Sequence, residues 1–200
     1  MKNALLYLCA LLLFVGCVDN PVNKKVKEAK QNVSNAKKAA DKMQDIQDDM
    51  KKLQEMEPLS NDVLKAWLPD QIGDMKRTSY KAGHMSMMQI SSIEATYEND
   101  DKTKKFKMEL LDGAGPTGYA TTATFQLMFT QDFEEESETK LRRSSERDGI
   151  KVIEEYYKDR NNSTIEQFHA GRFYLKGKGT NMDLDETWKA IKYLEVEDLE

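Results

Sequence analysis

The chain has 200 residues, 30 basic against 35 acidic side chains, a net charge of −5 and a mean hydropathy of −0.73. That balance argues against nucleic acid as a partner, because phosphate recognition needs a basic surface. The two histidines, His84 and His169, lie 85 residues apart, which argues against a Cys/His zinc finger.

Residues 1–16 read as an export signal: Lys2, an apolar run from Ala4 to Val15, and Gly16 before Cys17. The run is shorter than the ~20 residues that a membrane-spanning helix needs. Phe14-Val15-Gly16-Cys17 resembles the lipobox of bacterial lipoproteins, with Phe14 where Leu is commoner. The resemblance implies that the Cys17 thiol takes a diacylglyceryl group and that cleavage makes Cys17 the first residue of a palmitate-bearing lipoprotein. Residues 17–21 then form the lipid-anchor linker. Cys9 lies inside the leader, so the mature chain keeps one cysteine. An intrachain disulfide, thiol catalysis and thiolate metal ligation are thereby excluded. The leader removes only Lys2, one positive charge, so −5 becomes −6. Val18 rather than Asp follows Cys17, which for such lipoproteins implies the outer membrane, facing the periplasm.

From Val22 to Glu57 there is neither glycine nor aromatic residue, and Pro21 and Pro58 stand at the borders. The stretch predicts a helical stem over 22–57, ~54 Å long at 1.5 Å per residue. Val22, Val26, Ala29, Val33, Ala36, Ala40 and Met43 keep alternating steps of four and three, the seam of a coiled coil and a route to a homo-oligomer. Its first half is rich in lysine and its second half is acidic.

Residues 59–200 suffice for one globular head. Ser60 is a good N-cap for a short helix to Leu68, closed by Pro69. Ile93, Ala95 and Tyr97, and then Phe106, Met108 and Leu110, alternate with polar neighbours and predict a hairpin around Asn99-Asp100-Asp101-Lys102. Phe125, Met128, Phe129 and Phe133 predict a helix from about 119 to 136. Segments 140–147, 150–157, 164–169 and 172–178 read as strands, with tight turns at Asp148-Gly149 and Ala170-Gly171. Asp183 and Glu186 form a capping box ahead of Leu184, Trp188, Ile191 and Leu194. The expected class is α+β: a long N-terminal helix, then an antiparallel sheet of about six strands packed with helices.

Across 59–199, Leu68-Pro69, Gly73, Arg77-Thr78-Ser79, Glu94-Ala95-Thr96-Tyr97, Asp112-Gly113-Ala114-Gly115, Gly171-Arg172-Phe173 and Gly177 resemble a family of poorly characterised Gram-negative envelope proteins. The resemblance brings no activity and no site residues. The element order is also similar to that of the PsbP/Mog1-like sandwiches, an analogy of fold alone.

Two motifs carry candidate chemistry. Gly113-Ala114-Gly115-Pro116-Thr117-Gly118 has the G-x-G-x-x-G spacing with which backbone amides approach pyrophosphate. The strand before it alternates, and antiparallel hairpins follow it, which favours a plain strand-to-helix loop. His84-Met85-Ser86-Met87-Met88 offers imidazole and thioether ligands suited to copper. On a strand, however, Met85 and Met87 would face away from His84 and Met88. The acidic run from Asp132 to Glu138 lacks the spacing of a calcium loop. The sequence therefore predicts a non-enzymatic binding or assembly module with no cofactor, held to the membrane by Cys17 and meeting another envelope protein. The alternative is a periplasmic ligand or metal (copper) binder using His84, Met85, Met87 and Met88.

Overall fold

Alternation of apolar and polar residues builds the centre of this fold. In the computed structural model, which describes residues 48–200, the two alternating runs are β3 (Ser92–Glu98) and β4 (Lys105–Asp112). Ile93, Ala95, Tyr97, Phe106, Met108 and Leu110 are all buried on one face. Seven further strands extend the pair: β1 (Gln71–Ile72), β2 (Met75–Ala82), β5 (Glu134–Glu136), β6 (Lys140–Arg147), β7 (Ile150–Tyr157), β8 (Asn162–His169) and β9 (Phe173–Thr180). They form one antiparallel sheet in the order β1-β2-β3-β4-β9-β8-β7-β6-β5, two meanders joined where β4 pairs with β9.

Three helices accompany it, α1 (Asn61–Trp67), α2 (Gly115–Met128) and α3 (Leu184–Lys192), and residues 48–55 are helical as well. Residues 49–200 form one compact unit. Leu64 of α1 and Trp188 and Ile191 of α3 join the inward residues of β3, β4, β8 and β9 in the main core. The Asp183–Glu186 capping box is formed, and Glu186 also pairs with Lys104. Behind the cap, Thr187 and Ser163 share a hydrogen bond of 2.5 Å. The helix sits close because β9 carries glycine there. A Cβ on Gly177 would lie 2.7 Å from Ile191.

The opposite face holds a smaller cluster of Leu111, Phe129, Ile153 and Tyr174, against which Phe125, Phe133, Phe168 and Met85 pack. Phe125 stacks on Tyr174 at 4.5 Å between ring centroids. Burial pushes the Tyr174 phenol above its usual range, as it does that of Tyr97, which reaches about 12.

These observations correct the expected α+β arrangement of about six strands. The described residues form a single nine-stranded antiparallel sheet with four short helices, and the PsbP/Mog1-like analogy falls with the strand count. The unpredicted strands are β1, β2 and β5. β2 is mostly exposed and shifts register between Arg77 and Ser79, so it shows no two-residue apolar period. β5 is Glu134-Glu135-Glu136 and is held at the sheet edge opposite Arg143, Arg142 and Leu141. Backbone pairing with β6 and the Glu136–Lys158 ion pair at 2.6 Å, rather than apolar alternation, hold it. The helix expected to run on to Glu136 therefore stops at Met128. The leader, Cys17 and the predicted long helix over 22–57 lie outside the described residues, save for the last turns of that helix at 48–55.

Candidate metal centre

Strand pairing puts two carboxylates side by side. Glu94 of β3 and Glu109 of β4 are register partners on the face away from the main core. Like charges directly opposite destabilise a pair of strands by ~0.2–1 kcal/mol unless a cation sits with them. Three cationic side chains surround them. Lys107 Nζ lies 2.7 Å from Glu94 Oε2, Lys81 is the register partner of Glu94 on β2, and Lys176 is that of Glu109 on β9. The hydrogen bond from Lys107 is the main reason that the Glu94 carboxyl is held below its usual range. Lys176 is itself engaged by Glu166 at 2.8 Å.

His84 completes the group. It follows Gly83, whose φ of +68 turns the chain out of β2 and whose amide donates to Ser92 O at 2.8 Å. The His84 Nε2 atom lies 3.4 Å from Glu94 Oε1 and 3.5 Å from Glu109 Oε1. All three side chains are partly buried, and His84 is the most enclosed at 12 % exposure. One ligand atom from each lies within 4.8 Å of the others. Two ligand atoms at ~2.0–2.1 Å from a tetrahedral metal are themselves ~3.4 Å apart, so the imidazole-to-carboxylate spacings suit a small divalent ion. Ser92 Oγ, fully buried, is 3.2 Å from His84 Nδ1. With the ring proton on Nδ1, His84 donates to Ser92 and presents the Nε2 lone pair to the glutamates. One imidazole with two carboxylates suits zinc, manganese or ferrous iron better than Cu(I).

The predicted His–Met set does not converge. Ser86–Met88 is a 3-10 turn rather than a strand. Met87 is 98 % exposed, Met88 is also exposed, and Met85 packs into the smaller apolar cluster. Of the predicted ligands, only His84 reaches a constellation. Glu94 and Glu109 went unnoticed in the sequence, although the pairing of Glu98 with Lys105 across the hairpin places them opposite each other.

The glycine-rich segment is a joint. Asp112, fully buried, accepts from Ala114 N (2.9 Å) and Arg172 Nε (2.7 Å) at Oδ1, and from Leu59 N and Arg172 Nη2 (both 2.8 Å) at Oδ2. A phosphate approaching the start of α2 would meet this carboxylate. The glycines answer to close packing: a Cβ on Gly113 would lie 2.7 Å from Arg172 O, and one on Gly118 2.7 Å from Asp112 O. A second buried carboxylate, Glu154 of β7, is held by Arg143 at 2.8 Å and by Arg147, which also reaches Asp185 in α3 at 2.8 Å. Burial alone would raise the Glu154 pKa, but the hydrogen bonds from the two arginines outweigh it and hold it low.

Compared with protein-family models, with curated proteins and with solved structures, the chain finds no match. Among the described residues no helix is long and apolar enough to cross a membrane.

Proposed function

We propose that this chain is a lipid-anchored lipoprotein of a bacterial envelope, a non-enzymatic binding or assembly module. Cys17 holds it in the outer membrane, and the stem over 22–57 carries the head into the periplasm. The observation behind this reading is Phe14-Val15-Gly16-Cys17 at the end of an apolar run preceded by a single lysine. A diacylglyceryl thioether buries two acyl chains at ~0.8 kcal/mol per CH₂, enough for stable anchoring. Its partner is another envelope protein, met by the head. The test is metabolic labelling with a clickable fatty acid: the wild type takes up label and Cys17→Ser does not. Equal labelling of both would defeat the proposal.

A second reading is favoured by the His84, Glu94 and Glu109 geometry. The head binds a divalent transition metal there, and the methionines play no part. A protonated imidazole in a plain ion pair with both carboxylates satisfies the same distances, so calorimetric titration with zinc and manganese decides. Micromolar or tighter binding that His84→Ala and Glu109→Gln each weaken at least ~100-fold supports the metal. Binding absent in the wild type, or unchanged in the variants, assigns the trio to a plain ion pair.

A further inference from the structure

On the main-core face, opposite to the face that carries the glutamate pair, β7, β8, α3 and the segment after it line a half-open cavity of about 290 Å³. That is near the lower end of small-molecule sites, roughly 300–1,000 Å³. Ile150, Trp188, Ile191 and Val196 give it apolar walls. Gln167 of β8 joins them, only 4 % exposed, and its Oε1 is buried with no hydrogen-bond partner among the described residues. No described residue bonds its Nε2 either.

A buried amide oxygen without a partner is rare in a folded protein and calls for an explanation, whereas Nε2 keeps some exposure. The sheet cannot supply one, since the register partners of Gln167 are Val152 and Leu175, both fully buried and apolar. The other polar groups at the cavity are committed. Asp148 accepts from Trp188 Nε1 at 3.0 Å and from Lys192 at 3.1 Å, and His169 Nε2 is 2.7 Å from Glu200 Oε1. The carboxylates of Glu195 and Glu197, by contrast, have no ion pair among the described residues. The cavity thus combines an apolar wall, an unused amide acceptor and a surplus of negative charge.

We infer that this cavity is a binding site for a small organic ammonium, an alkyl or aralkyl amine with an apolar body. The body lies against Trp188, Ile191 and Val196. The ammonium donates to Gln167 Oε1, which a turn about the last side-chain torsion brings to the cavity, and its charge is balanced by Glu195 and Glu197. The inference is independent of the His84 cluster and of the lipid anchor.

Benzylamine and its neutral counterpart benzyl alcohol are the probes, titrated into the full-length chain in detergent and followed by ligand-observed NMR. The wild type is expected to bind benzylamine saturably, with a Kd of about 1 mM or below, and benzyl alcohol about tenfold more weakly. Gln167→Leu should lower benzylamine affinity about tenfold or more while the melting temperature holds or rises, because an unpaired polar group has become apolar. Glu195→Gln with Glu197→Gln should weaken benzylamine about 3- to 10-fold and leave benzyl alcohol unchanged. No saturable binding up to about 10 mM, equal affinity for amine and alcohol, or wild-type affinity in Gln167→Leu would each overturn the assignment. Should Gln167→Leu fail to fold, the double glutamate variant decides alone, and unchanged benzylamine affinity there overturns it.

Discussion

Asp112 and Arg172 show how a single pair can organise a segment. The carboxylate is fully buried, and its partners tie together the residue before α1, the start of α2 and the turn into β9. A guanidinium suits this position because its planar fork matches both carboxylate oxygens, which an ammonium cannot do. Arg172→Ala leaves a buried carboxylate without its counter-charge, so a loss of about 3–5 kcal/mol is expected in denaturant melts. Arg172→Lys should recover only part of that loss. A change below about 1 kcal/mol would mean that the pair contributes no more than an exposed ion pair. Such a pair was not legible in the sequence, because residues 112 and 172 meet only once β4 has paired with β9. The glycines around Asp112 were legible as a motif, but not as to their purpose. G-x-G-x-x-G reports that backbones come close, and here the close neighbours are the chain's own carbonyls rather than a phosphate.

Among the elements, those that follow a strict period could be read directly. β3 and β4 alternate, β6 to β9 are divided by Asp148-Gly149 and Ala170-Gly171, and α3 carries its capping box at the expected residues. Both turns have positive φ at both central residues, the geometry of tight hairpins. The outer strands escaped because they answer to a different physics. β2 and β5 are kept in place by cross-strand partners, and Glu134 to Glu136 look helical when considered alone. The same dependence on partners makes β7 sensitive to acid. Glu154 has a lowered pKa in the folded head. Its stabilising contribution is therefore complete above the unfolded carboxylate value of about 4.3 and is lost as pH falls through the lower folded value. Melting temperatures measured from about pH 7 down to about pH 3 should fall less steeply for Glu154→Gln than for the wild type. Parallel profiles would show that the Arg143–Glu154–Arg147 cluster does not contribute to the acid sensitivity.

For the whole molecule, the sequence speaks most clearly about address, and the structure about the head. The predicted stem carries Ala29, Val33, Ala36 and Ala40 at its seam. Each buried CH₂ contributes ~0.8 kcal/mol, so an alanine-rich seam supports only weak self-association. Residues 18–200 should accordingly sediment as a monomer at micromolar concentration, and as the same species after deletion of 22–57. A trimer that becomes a monomer on deletion would instead make the stem an oligomeric stalk.

Acylation of Cys17 decides whether the head works beside a bilayer, and intact-mass spectrometry of the protein extracted from native membranes reads it directly. The expected species is a chain that starts at Cys17 and carries the added mass of a diacylglyceryl group, with or without a further acyl chain on its amine. A chain that retains residues 1–16, or one that starts at Cys17 with a free thiol, would contradict it.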